Sequence, residues 1–162
     1  MSASLPDVAP GFVEIAHRIV WATAATVDPQ GRPWTRVLHP IWEWDGERLT
    51  GWVATGPTPT KRAHLAAHPY VSVTYWDPSH DTASAHCHAA LHTDDATRTA
   101  VWERFAAGPE PVGYDPTIIQ AWKGGPLTPE FAALRLDPWR VRVQPAAVLL
   151  ESKVDLVREW RS

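Results

Sequence analysis

Arg36 to Trp76 reads RVLHPIWEWDGERLTGWVATGPTPTKRAHLAAHPYVSVTYW, and this run decides the fold. Trp34 to Trp44 is rich in β-branched and aromatic residues and predicts one long strand. Asp45-Gly46 follows, a dipeptide suited to a tight hairpin turn because both residues tolerate positive φ. Arg48 to Thr55 is then the returning strand. Gly56-Pro57-Thr58-Pro59 breaks the pattern, and Thr60 is placed to cap a short helix from Lys61 to Ala67, which His68-Pro69 ends. Val71, Val73 and Tyr75 alternate with Ser72, Thr74 and Trp76, so Tyr70 to Trp76 is a strand with two unlike faces.

Upstream, Phe12, Ile15, Ala16 and Ile19 share one helical face, which predicts a helix from Pro10 to Ile19 starting at Pro10 or Gly11. Val20 to Val27 reads as a strand, and Asp28-Pro29-Gln30-Gly31 as a turn, so the first three strands form a meander. Downstream, Ala83 to His92 is a plausible strand, and Thr93-Asp94-Asp95 caps a helix to about Ala106. A Pro- and Gly-rich connection, Gly108 to Pro116, leads to a brief helix at Thr117 to Trp122. Phe131 to Leu136 and Trp139 to Val143 are the last strands, split by Asp137-Pro138. Val148 to Trp160 fits either strand or helix. Short hairpin-linked strands with a few helices between them predict a mainly β, antiparallel barrel with flanking helices.

A chain of 162 residues suits one domain over its whole length. No apolar run reaches membrane-span length, and Met1 to Pro10 lacks the basic start and apolar stretch of a signal peptide, so a cytoplasmic protein with no membrane partner is expected. Cys87 is the only cysteine, which excludes an intrachain disulfide. The net charge is −3 and the basic residues are scattered, so nucleic acid is not an expected partner. Ten tryptophans are more than a chain this size readily buries. They point to a cofactor site, to a subunit interface, or to an aromatic-rich barrel core.

Arg36 shares a strand face with Trp34, Leu38, Pro40 and Trp42. A permanent cation in such a row needs an anionic partner, either a bound anion or an internal carboxylate, unless it lies at an exposed edge. The loop Thr55 to Lys61 leads a strand into a helix N-terminus, where free N–H groups, threonine hydroxyls and the Lys61 ammonium suit a phosphate; an ordinary capped loop reads the same way. His86, His88 and His92 share parity on one strand, the geometry of two-histidine metal sites, but no carboxylate or second thiolate completes a set, so no metal is expected. His17, His39, His64, His68 and His80 form no coherent pattern.

The order of these pieces resembles the pyridoxamine-5′-phosphate-oxidase-like, FMN-binding split-barrel family: an Arg-x-Val-Leu-type strand, an Asp-Gly hairpin, a strand ending in Thr, a polar loop, Lys, then Leu-Ala-x-x-Pro and a valine-rich strand. The resemblance runs from about Phe12 to Val143 and is most specific over Arg36 to Trp76. It implies a homodimeric split barrel with flavin in a cleft between subunits. It assigns Arg36 and Lys61 to the phosphate and Thr55 to the flavin's vicinity, and adds Val37, Leu38 and Thr60 as binding residues. Trp122, Trp139 and Arg140 become candidates for the other wall. Ala54 stands where the fuller oxidases have an aromatic residue, and Thr60 where they often have a basic one, departures that weaken the phosphate grip or change the cofactor.

The expected activity is flavin-dependent electron or hydride transfer with a small organic substrate, using FMN, with the deazaflavin F420 as the alternative. The cofactor would carry the redox chemistry, and no catalytic acid or base is identified. A non-catalytic flavin or haem carrier or stress protein is the rival. Trp139-Arg140-Val141-Arg142-Val143 stands where full-length oxidases carry an Arg-Leu-His-Asp-Arg-type motif, so pyridoxamine 5′-phosphate is not the expected substrate.

Overall fold

The computed structural model describes residues 3–162. Helix α1 spans Leu5–Ile19, and therefore begins before Pro10 and contains it. Ser4 starts it, with its backbone N–H donating to the Asp7 carboxylate at 3.1 Å. Pro10 removes one helical hydrogen bond, but Val8, Ala9, Phe12, Ile15 and Ala16 form a continuous buried face that offsets the loss.

Eight strands follow: β1 Ala22–Val27, β2 Pro33–Leu38, β3 Pro40–Trp44, β4 Leu49–Thr55, β5 Tyr70–Trp76, β6 Thr82–His92, β7 Ala132–Gln144 and β8 Arg158–Arg161. Helix α2, Pro59–Ala67, lies between β4 and β5, α3, Asp95–Ala107, between β6 and β7, and α4, Ala146–Leu150, after β7. All pairings are antiparallel, in the order β2-β1-β5-β6-β7-β4-β3, with β8 added to β7. The chain is thus a mainly β, β+α fold, as its hairpin signals predict.

The expected strand Trp34–Trp44 is in fact two, because the β2 ladder ends at Leu38 opposite Ala22 and the β3 ladder starts at Pro40 opposite Val53. The first strands are therefore no simple meander. His39 alone joins the two ends of the sheet path, and this seam is where the barrel is split. Alternation shows that a segment is extended, not which neighbour it pairs with, and Pro40 brings no N–H to a ladder.

Asp137-Pro138 does not divide the last strand. Between His86↔Arg140 and Cys87↔Pro138 the register shifts, leaving Trp139 as the extra residue of a bulge that accommodates proline. The cap of α2 is Thr58, whose hydroxyl accepts from the Lys61 N–H at 3.3 Å, rather than Thr60. The brief helix near Trp122 is two single 3-10 turns, Pro116–Ile118 and Gln120–Trp122.

The main core packs α1 against the sheet. Phe12 meets Trp42 edge-on at 4.8 Å, and Trp42 Nε1 donates to the fully buried Tyr75 hydroxyl at 2.8 Å. Gly51 on β4 makes room for that tryptophan, since a Cβ there would lie 2.8 Å from its ring. A second, smaller core of Ile41, Val101, Phe105, Val112 and Ala133 packs α3 against β3 and β7 and supports the cleft described below. Trp21, Trp34 and Trp76 stay exposed, at 62%, 47% and 56%, so the fold of one chain does not absorb the tryptophan excess. No helix among the described residues is long and apolar enough to cross a membrane.

Candidate functional site

Two cations meet where β2 and α2 face each other. Lys61, in the first turn of α2, is only 8% exposed. Its Nζ donates to the Thr55 hydroxyl and to the Gly56 carbonyl, the latter at 2.8 Å. Arg36 on β2 donates through Nη2 to Thr26 Oγ1 on β1, which lies 2.9 Å from His64 Nδ1 on α2. Thr26 and His64 are both buried. Neither cation has a carboxylate partner among the described residues. Asp28, at the end of β1, is engaged by Arg32 Nε at 2.7 Å and Trp34 Nε1 at 3.1 Å.

The electrostatics follow from this packing. Burial, and then the nearby Arg36 charge, push the Lys61 ammonium down to about 8. Burial lowers the Arg36 guanidinium as well. Two like charges held together without a counter-ion leave a standing demand for an anion, and the N-terminus of α2 adds its dipole to that demand.

An apolar cleft of about 450 Å³ adjoins this pocket through the same strands. Val37, Leu38 and His39 continue from Arg36, Val53 and Ala54 precede Thr55, and Tyr114, Ile119 and Trp122 close the far side. Trp122 is fixed by its Nε1–H donating to the Glu130 carbonyl at 2.9 Å and by Phe131 edge-on at 5.0 Å. A second cavity of about 480 Å³ continues past Gly56, Pro57 and Thr58 and shares Ile119 and Trp122 with the first.

Of the residues expected to bind, the structure brings Arg36, Thr55 and Lys61 to this cationic pocket and Val37, Leu38 and Trp122 to the cleft. Thr60 is exposed on α2. Trp139 lies apart within the chain, packed on His86 at 5.5 Å and under the Arg161 guanidinium at 5.6 Å. Arg140 pairs with both carboxylate oxygens of Glu159, at 3.0 and 2.9 Å. The strand histidines have separate neighbours: His86 Nδ1 lies 2.8 Å from the Ser72 hydroxyl, His88 packs on Tyr70, and His92 faces Asp94 at 3.6 Å. Among the described residues no group of three His, Cys, Asp or Glu side chains is arranged to hold a metal. Thr26, His64 and His39 are the site residues that sequence reasoning passed over. The alternation of β1 places Thr26 on the inward face with Ala22 and Ala24, the one signal that pointed to it.

Fold and site together define a split antiparallel barrel with a buried cationic pocket beside an apolar cleft. The family model described as pyridoxamine 5′-phosphate oxidase matches residues 11–145, and the chain belongs to that family. Solved structures share the fold at low identity. A pyridoxamine 5′-phosphate oxidase-related, FMN binding protein from Nostoc punctiforme aligns with a TM-score of 0.67 at 16% identity, over 99% of this chain and 97% of that one. A protein from Clostridium acetobutylicum related to general stress protein 26 aligns with a TM-score of 0.65 at 14% identity, over 82% and 84%. HupZ from Group A Streptococcus aligns with a TM-score of 0.56 at 16% identity, over 82% and 90%. No curated protein matches the sequence.

Proposed function

We propose that this protein is an FMN-dependent oxidoreductase that acts on a small organic substrate as a homodimer in the cytoplasm. The observation that carries the reading is Lys61, a buried ammonium beside Arg36 with no carboxylate to neutralise either. A phosphate monoester supplies the missing charge and accepts several charge-assisted hydrogen bonds, each worth about 1.5–3 kcal/mol. Arg36 and Lys61 would hold the phosphate, with Thr55 beside them, while Val37, Leu38 and Ala54 form an apolar wall for the ring. Bound flavin supplies reversible hydride and electron transfer. The chain's own contribution is to anchor the phosphate, exclude water from the cleft and orient the ring.

Exposed Trp21, Val37, Ile118 and Ile119 all line the cleft, which supports closure by a second copy of the chain. Trp139 and Arg140 would then reach a site only from the partner subunit. F420 is the second reading. The cavity past Gly56 and Pro57 has room for a tail beyond the phosphate, but it is lined by Glu130 and by no cation, which favours FMN over an anionic tail.

Titrating the apoprotein with FMN and riboflavin tests the anchor, because the two share a ring and differ in the phosphate. FMN is expected to bind at least tenfold more tightly than riboflavin, a difference of about 1.4 kcal/mol. Equal affinities would remove the phosphate site. Tighter binding of F420 than of FMN would replace FMN with F420, and loaded protein that passes electrons to no acceptor faster than free flavin would make it a carrier.

A further inference from the structure

The outer face of the sheet carries a polar array that the cleft does not use. Along β5, β6 and β7 the side chains of Val73, Ala85 and Val141 are buried in the core, so residues of the opposite parity point away from it. The ladders set these outward residues in adjacent rows that continue onto β8. One row runs Ser72, His86, Arg140, Arg161, and the next Thr74, Ser84, Arg142, Glu159.

Three guanidinium groups therefore surround one carboxylate. Arg140 takes both Glu159 oxygens, at 3.0 and 2.9 Å, while Arg142 only approaches it, with Nε 3.9 Å from Oε2. Arg161 is exposed over the Trp139 ring and has no carboxylate within ion-pair distance among the described residues. Asp137, the one acidic residue of β7, is taken by Arg135 at 2.8 Å. His86 registers the excess of positive charge: burial and then the Arg140 charge hold its imidazole below the usual range, Glu159 opposes this, and Arg161 adds to the lowering. Arg142 and Arg161 thus keep guanidinium N–H groups free to donate. A planar carboxylate matches that fork, as Glu159 already matches Arg140.

We propose that Arg142 and Arg161, set diagonally across the β7–β8 ladder, hold the carboxylate of a small organic acid, and that this acid is the substrate of the bound flavin. The substrate role rests on the flavin dimer proposed above, in which Trp139 and Arg140 face the partner's cleft; the carboxylate site itself does not. Arg36 and Lys61, assigned to the cofactor phosphate, take no part in it.

Benzoate and benzamide share a shape and differ in charge. Equilibrium dialysis of each against the FMN-loaded full chain, with the Arg36–Lys61 pocket occupied, tests the site. Benzoate is expected to bind about fivefold or more tightly than benzamide, and to shift the visible absorption of bound FMN with the same midpoint. In the double variant Arg142→Gln, Arg161→Gln the two ligands should agree within about twofold, whereas Arg48→Gln, which removes an exposed cation beside the Asp45-Gly46 hairpin, should keep the preference. Glu159→Gln removes the competing carboxylate and should tighten benzoate about threefold while leaving benzamide unchanged. Equal binding in the wild type, a preference that survives in the double variant, or benzoate binding no tighter in Glu159→Gln would each overturn the site. An FMN spectrum unmoved by bound benzoate would overturn the substrate role. Failure to bind FMN, with the benzoate preference present in the wild type and lost in the double variant, would overturn the flavin reading and the substrate role and leave the carboxylate site standing.

Discussion

Replacing Lys61 with methionine should strengthen the empty fold and weaken the phosphate site, a pair of effects that no purely structural lysine would produce. The folded Lys61 titrates at about 8 against an ordinary value of 10.5. Below pH 8 both folded and unfolded chains carry the proton, so the folded state bears the full cost of the buried charge, on the order of 3 kcal/mol. Between pH 8 and 10.5 the folded lysine loses its proton while the unfolded one keeps it. Stability of the empty wild-type protein therefore rises through that window and levels off above it. Methionine keeps most of the side-chain volume without the charge, and gives up hydrogen bonds to Thr55 and Gly56 worth about 1 kcal/mol each. The net gain at pH 7 is about 1 kcal/mol, with no rise between pH 8 and 10.5, and urea unfolding at several pH values measures both. FMN affinity should fall about tenfold to a hundredfold in the same variant. In the wild type it should drop roughly tenfold per pH unit above 8, because the phosphate binds the charged ammonium. A variant that is less stable than wild type across the range and binds FMN unchanged would refute the reasoning.

Thr26→Val removes the hydroxyl that holds Arg36 and should weaken FMN binding about threefold to tenfold, with Thr26→Ser restoring it; equal titrations for Val and Ser would show that Arg36 needs no such support. Gly51→Ala drives a methyl group into the Trp42 ring and should cost about 1–3 kcal/mol in urea unfolding, with no change in FMN affinity per folded molecule. Sedimentation should find a dimer at micromolar concentration, and a stable monomer would leave the exposed aromatic rim of the cleft unexplained. Pyridoxamine 5′-phosphate should not be oxidised at ordinary enzymatic rates; turnover on the order of 1 per second or faster would contradict the divergence of the Trp139–Val143 segment.

The sequence by itself determined the extended segments, the Asp45-Gly46 hairpin and the strand, loop and helix that carry Thr55 and Lys61. Each of these is written in neighbouring residues: alternation, a turn dipeptide, a proline break. Arg36 was singled out as a cation in an apolar row, but that row was only half right, since Pro40 and Trp42 belong to β3 and β2 is an end strand on which Trp34 is exposed. Only the tertiary structure decided that β2 and β3 part at His39, since pairing partners are chosen by ladders between residues distant in sequence. The same holds for Thr26 and His64. A threonine on β1 and a histidine on α2 become the support of Arg36 only when β1 pairs with β2 and α2 packs across them, and no local periodicity records that meeting. The helix start at Leu5 and the unbroken β7 are related cases, in which burial of a whole face outweighs the local preference of one proline.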